Sequence, residues 1–350
     1  MINHTTPAIA MAILAAALYG VSSPVSKLLL VKIPPTLMAA LLYLGAGIGM
    51  LIVNVFKQYS KNEQVEAKMT KKELPYIIGM ILLDIAAPIL LMLGLARTTA
   101  ENVSLLNNFE IVATALIALF IFQEAIGRRM WLAIALITLS TIILTVEDLS
   151  SLSFSLGSLF VIAACLCWGV ENNCTRMLSL KDPLQIVAVK GFGSGIGALL
   201  ISLVLQEYNS NLWYIFLALI LGFVAYGLSI FFYISAQREL GAARTSAYYA
   251  AAPFIGVIMS WLLLQEQIST SFLVALVIML TGAYFAVSED HRHTHFHLEI
   301  THEHKHNHHD GHHNHQHVPE VEGEHSHEHT HEPIKHKHAH TPDMHHRHAH

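Results

Sequence analysis

Four ionisable side chains stand inside otherwise apolar stretches of this sequence: Asp84, Glu110, Glu171 and Lys190. A charge held at the centre of a bilayer costs roughly 2.5 to 3.5 kcal/mol or more, so such a group faces a cavity, a polar path or a partner of opposite sign. Carboxylates in that setting bind cations or relay protons. Glu110 carries the strongest functional reading, because it stands mid-helix with Asn107 and Thr114 on its face; it is expected to bind a cationic substrate group or a coupling proton. Lys190, about seven residues into an apolar helix, has a plainer alternative, pairing with Glu171 or Asp84 to lock the halves together. Glu171 and Lys27 also lie near enough to helix ends to reach interfacial water.

Polar and aromatic residues join this set through their spacing. Tyr19, Ser22, Ser23 and Ser26 share one face of the first apolar helix, and Trp168, Glu171, Asn172 and Thr175 share one face of the sixth. A third face holds Tyr226, Ser229 and Tyr233. The candidate cavity for substrate or coupling ion is therefore Glu110, Asn107, Thr114, Asp84, Glu171, Asn172, Lys190, Tyr19, Ser23, Trp168, Tyr226 and Tyr249. As single residues such aromatics are more often packing.

The elements that must position these residues are membrane spans. The chain is 53% apolar and only 13% charged, which is too apolar for an ordinary soluble domain. Windows of roughly 20 residues, the length that crosses a bilayer core, recur ten times: 7–30, 35–56, 75–96, 99–122, 129–147, 155–177, 183–205, 212–236, 242–264 and 270–288. The first is too long and lacks the basic start of a cleaved signal, so it reads as a retained helix. With the amino terminus inside, eleven Lys and Arg residues fall in inner loops and three, Lys27, Lys32 and Arg97, in outer ones. That asymmetry places both termini in the cytoplasm and the protein in the cytoplasmic membrane. Cys165, Cys167 and Cys174 share one helix and read as small packing residues.

The spans repeat. Thr99 to Glu124 recurs, diverged but ungapped, at Gly241 to Glu266, 142 residues on. Helix 1 aligns with helix 6, and Gly45-Ala46-Gly47-Ile48-Gly49 aligns with Gly193-Ser194-Gly195-Ile196-Gly197. Small residues at that density let helix backbones approach closely. Five spans per half is an odd number, so the second half is inverted relative to the first, the arrangement of secondary transporters whose site lies between the halves near the bilayer midplane. The expected organisation is a segment 1–6, a five-helix repeat 7–148, a linker 149–154, a second repeat 155–290 and a tail 291–350.

These residues resemble the EamA-type transporters of the drug/metabolite transporter superfamily. Tyr19-Gly20 through Lys27 and Trp168-Gly169 through Arg176 look like the family's Trp-Gly to Lys start. Phe122-Gln123-Glu124 and Leu264-Gln265-Glu266 look like its Glu after the fourth helix of each repeat. The family's Glu-Pro pair is divided here, Glu110 keeping the acid and Pro253 the proline, while Lys190 matches a position that is often basic. Leu42, Asp84 and the tail depart from the pattern. The resemblance implies an all-α membrane protein of ten helices in two inverted repeats that moves amino acids, metabolites or toxic compounds, generally outward.

The tail from His291 holds 24 of the 25 histidines and almost no large apolar residues, so it is expected to be disordered. Its candidate metal ligands are His291, His293, His295, His297, His302, His304, His306, His308, His309, His312, His313, His315, His317, His325, His327, His329 and His331. Imidazole suits Zn, Ni, Co or Cu, but no fixed finger spacing appears, so several weak, exchanging sites are expected rather than one built site. With its histidines neutral the tail is slightly acidic, and it turns positive below about pH 6.5.

The function expected from all this is a secondary transporter, an exporter of a small polar metabolite, amino acid or drug-like solute, working by alternating access with protons as coupling ions. The alternative is a divalent-metal exporter, or a metal-regulated transporter, whose tail collects or senses metal; a bare membrane metal sensor is a third class. No nucleotide loop, nucleophile elbow or zinc-protease motif is present, so no catalytic residue is assigned and no enzyme is expected. No cofactor is required, and divalent metal is confined to the tail. The expected partners are a small-molecule or ion substrate and the lipid bilayer, with no nucleic acid; a homodimer is compatible with the sequence but not demanded by it.

Overall fold

A computed structural model describes residues 5–59, 71–122, 127–148, 153–178, 181–240, 245, 248–265, 268–288, 292–296, 300–306, 325–331 and 335–339. Helices build the membrane body. The first half comprises α1 (Thr5–Gly20), α2 (Ser22–Leu29), α3 (Pro35–Tyr59), α4 (Leu74–Leu95), α5 (Ala100–Leu106), α6 (Phe109–Phe122) and α7 (Arg128–Thr145). The second comprises α8 (Leu156–Arg176), α9 (Pro183–Val204), α10 (Leu212–Leu221), α11 (Ser229–Leu240), α12 (Ala252–Leu264) and α13 (Thr270–Val287). A π-helical turn, Gly222–Leu228, joins α10 to α11.

Local chemistry explains where these helices begin. Pro35 and Pro183 occupy first helical positions, where a missing N–H costs nothing. Side chains of Thr99, Ser155, Asp182, Asn211 and Ser269 each accept from a backbone N–H of the first turn that follows. Glu207 does the same across the two halves, its Oε2 accepting from the N–H groups of Thr36 at 2.8 Å and Leu37 at 3.1 Å.

Among the described residues, nine helices are long and apolar enough to cross a membrane. The ninth of the ten expected spans, 242–264, is described as the shorter apolar helix α12, preceded by helical Tyr248 and Tyr249. Outward-facing Phe120, Leu200, Val204 and Val277 are exposed, as suits a lipid-facing surface.

The packing pairs run between the halves. α3 lies on α9, α7 on α13, α5 on α12, α4 on α8 and α1 on α11. Exchanging the halves maps the first two pairs onto themselves and swaps the last two, the signature of a pseudo-two-fold axis. The α3–α9 seam is made possible by glycine, since a Cβ on Gly191 would lie 2.4 Å from the Gly47 nitrogen. Gly222 does the same for the π turn, where a Cβ would meet the Leu42 carbonyl. The small-residue runs of the sequence thus become a physical contact between backbones.

Two departures from an all-helical chain appear. Val146–Asp148 and Ser153–Phe154 pair antiparallel at the junction of the halves. In the tail, expected to lack structure, Arg292–Phe296 pairs with Lys335–Ala339 and Ile300–His306 with His325–His331. Strictly alternating sequence suits a strand, whose side chains repeat with period two. Register sets His302 opposite His329, His304 opposite His327 and His306 opposite His325. The other tail candidates, His291, His297, His308, His309, His312, His313, His315 and His317, lie outside the described residues, as do Glu124 and Glu266.

Candidate transport site

Both fourth spans are broken at nearly equivalent places. In the first half α5 stops and α6 restarts at a turn of Asn107 and Asn108; in the second, Ala250 and Ala251 form the turn before α12. Asparagine side chains compete for backbone partners, and Asn108 Nδ2 donates to the Leu105 carbonyl at 3.1 Å. The N–H of Glu110 then reaches the Asn107 carbonyl at 3.1 Å, closing a tight turn. In α12 the helix is restarted by Pro253 near its first position. Glu110 therefore occupies the first turn of α6, where the helix dipole favours a carboxylate.

Glu110 is half-buried, and Asn172 of α8 donates to its Oε1 at 2.6 Å. The same Asn172 amide reaches Thr114 Oγ1 at 3.3 Å. Asn173, its neighbour, donates to the Gly169 and Thr114 carbonyls at 2.8 and 3.3 Å and anchors α8 to α6. The expected grouping of Glu110, Thr114 and Asn172 is thus assembled from two halves of the chain. Asn107 shares the break, and its Oδ1 has no hydrogen-bond partner among the described residues.

A second cluster lies deeper. Lys190 Nζ sits 3.0 Å from Asp84 Oδ2 and 2.9 Å from Glu171 Oε1. Asp84 is fully buried and Glu171 nearly so, at 0% and 1% exposure, so Glu171 does not reach interfacial water. Thr175 also donates to Glu171 Oε1. Tyr43 donates to Asp84 Oδ1 at 2.9 Å. One ammonium thus balances two carboxylates, and ion pairing of this kind requires such extra hydrogen bonds to offset desolvation.

A chain of tyrosines extends from the ion cluster. Tyr226 accepts from Ser22 Oγ at 3.3 Å, and its ring lies 5.8 Å from Tyr19 and 5.5 Å from Tyr43. Tyr249 lies 5.9 Å from Tyr19 and 4.9 Å from Tyr233, with its hydroxyl 3.5 Å from Ser229 Oγ. The π turn carries Tyr226, and a widened turn of this kind re-aims a side chain that a regular helix would point elsewhere. Ser23 is buried in α2, while Trp168 is buried in the main apolar cluster. Lys27 reaches the Leu95 and Thr98 carbonyls at 2.5 and 2.6 Å, away from the central acids.

Sequence reasoning passed over Tyr43 and Glu101. Tyr43 stands beside the glycine run of α3, and a phenol in so apolar a helix was the available signal. Glu101 is 4% exposed, with its Oε2 lacking a hydrogen-bond partner among the described residues; its place in the first turn of α5 was the only hint. No group of three metal-ligating side chains occurs among the described residues. A separate cavity of about 180 Å³ lies at the far end, lined by Thr98, Asn102, Ser155 and Ser269 among others.

Both polar clusters join residues of the two halves. The EamA-like transporter family profile matches residues 6–146 and 155–288. The chain belongs to the EamA-like transporter family. Its two matched stretches coincide with the two halves packed against each other. An uncharacterized transporter of Methanothermobacter thermautotrophicus is 28% identical over 288 residues, covering 78% of this chain and 83% of that protein. The uncharacterized transporter YyaM of Bacillus subtilis is 22% identical over 227 residues, covering 61% and 71%. A solved crystal structure shares the fold with a TM-score of 0.57 at 14% identity, covering 80% of this chain and 96% of its own. This EamA-like chain is accordingly a multi-pass membrane transporter.

Proposed function

We propose that this EamA-like transporter exports a small polar metabolite, amino acid or drug-like solute across the cytoplasmic membrane by alternating access, with Glu110 carrying the coupling proton. The observation that carries this reading is Glu110 itself: a half-buried carboxylate in the first turn after a helix break, held by a neutral amide from the opposite half. A carboxylate so held exchanges a proton without dismantling an ion pair. Asp84 and Glu171 serve another purpose, since both are tied to Lys190.

Broken helices at matching positions in both halves support the same reading, because a discontinuity at the repeat interface leaves backbone and side-chain groups to face a substrate. The test is solute uptake in proteoliposomes with and without an imposed pH gradient. Glu110→Gln is expected to abolish gradient-driven flux while the protein still elutes as a folded species. Gradient-driven flux at the wild-type rate in that variant would sink the assignment.

A further inference from the structure

The helix contacts sort the membrane body into two groups and a seam. α8 lies on both α4 and α6, and α1 lies on α11, α12 and the π turn, so each group draws helices from both halves. α3 and α9 lie on each other and touch both groups, α9 packing on α4 and α3 on the π turn. Exact repeat symmetry would make these two attachments alike.

They differ in kind. Carrying the offset between Thr99 and Gly241 back along the chain sets Tyr226 in the place of Asp84. The alignments of helix 1 with helix 6 and of the two glycine runs set Ser22 in the place of Glu171 and Leu42 in that of Lys190. On one side the seam is therefore held by directed polar bonds: Lys190 to Asp84 and Glu171 at 3.0 and 2.9 Å, Tyr43 to Asp84 at 2.9 Å, and Ser194 to the Ile81 carbonyl at 3.3 Å. Lys181, just before α9, adds a link to Glu73 at 3.5 Å; its equivalent is Ile33, and that of Glu73 is Ile215. On the other side Leu42 is buried and uncharged, while Ser22 and Tyr226 bond to each other rather than to the seam. There α3 meets its neighbours by close backbone approach, since a Cβ on Gly222 would run into the Leu42 carbonyl and one on Gly45 into the Leu219 carbonyl.

These attachments respond differently to displacement. An ion cluster has a fixed register, so shifting α9 along α4 would take the ammonium from two buried acids and leave their charge uncompensated. Small residues and apolar side chains impose no such register, and the sliding of packed helices is an ordinary component of domain closure.

We propose that α3 and α9 travel with α4, α6 and α8 as one rigid unit, fastened by Lys190, Asp84 and Glu171, and that the transport stroke displaces α1, α2, the π turn, α11 and α12 against it. The stroke is thus unequal despite the repeat. This inference rests on the transport reading and adds to it which seam moves.

The test is double electron–electron resonance on the purified full-length protein in lipid nanodiscs, with Cys165, Cys167 and Cys174 replaced by Ala. Spin labels go on lipid-facing, exposed positions: Leu82→Cys with Leu200→Cys reports α4 against α9, and Ile13→Cys with Leu200→Cys reports α1 against α9. Between acid and alkaline buffer the α1–α9 distance is expected to shift by more than about 2 Å, the scale of a backbone rearrangement, while the α4–α9 distance holds within that limit. Adding Lys190→Met, Asp84→Asn and Glu171→Gln together removes the fastening without stranding charge, and should make the α4–α9 distance vary as well. Glu171→Gln alone leaves the Lys190–Asp84 pair and should keep it fixed. A shift confined to α4–α9, equal shifts in both pairs, no shift in either, or an unchanged α4–α9 distance in the folded triple variant would each overturn the inference. The wild-type comparison decides even where the triple variant does not fold. Flux measured on the same proteins separates the two readings: the expected distances without gradient-driven flux would sink the transport reading and leave the rigid unit standing, whereas Glu110-dependent flux with a moving α4–α9 pair would do the reverse.

Discussion

The Lys190 ammonium, carried by α9 in the second half, lies 3.0 Å from the Asp84 carboxylate carried by α4 in the first. Glu171 completes the group from α8, so the ion cluster ties three helices and both repeats together. Lys190 immediately precedes Gly191, so the ion cluster lies beside the close α3–α9 backbone approach.

Removing the ammonium strands two buried acids. Lys190→Met is expected to lower stability by about 3 to 5 kcal/mol, the range for breaking a buried pair from one side. The triple variant Lys190→Met, Asp84→Asn, Glu171→Gln should recover much of that loss, because no uncompensated charge remains. Denaturation in detergent, followed by intrinsic fluorescence, measures both.

Tyr43→Phe deletes the hydroxyl that donates to Asp84 Oδ1. Leaving a buried acceptor without its donor costs about 1 to 3 kcal/mol. The same denaturation measurement should show that loss, and a loss under about 0.5 kcal/mol would mean that Asp84 finds another donor.

Gly191→Ala places a Cβ 2.4 Å from the Gly47 nitrogen and 2.9 Å from the Tyr43 carbonyl, both backbone atoms. Overpacking of this kind costs about 1 to 3 kcal/mol or more. Gly79→Ala is the control, since its Cβ would meet only the Cys174 Sγ at 3.2 Å. Folded yield after extraction should fall for the first and hold for the second.

Glu110→Gln keeps an oxygen able to accept from Asn172, so its stability should stay within about 1 kcal/mol of the parent. Transport driven by a pH gradient should nevertheless be lost. That split between fold and flux marks a functional carboxylate, whereas a structural one would lose both.

Ending the chain after Asp290 removes 24 histidines. Retention on immobilised Ni or Zn is expected to vanish, while solute flux per folded protein stays unchanged. Flux of Zn, Ni or Co that falls on truncation would favour the metal-export alternative over the reading proposed above.

Much of this architecture was legible in the residue order. Span length, small-residue runs and the 142-residue offset between Thr99–Glu124 and Gly241–Glu266 are local properties, and a bilayer forces apolar stretches of that length into helices. The cost of burying charge likewise marks Asp84, Glu110, Glu171 and Lys190 without coordinates. Which acid belongs to which partner was not legible, because α4 lies far from α8 and α9 in sequence and only packing sets their faces together. Lys190 had two candidate partners and takes both. Tyr43 escaped notice since a single phenol in an apolar helix acquires meaning only from the Asp84 opposite it. The break before Glu110 is also tertiary in its consequence: Asn107 and Asn108 permit it locally, but Asn172, 62 residues on, gives the carboxylate its place.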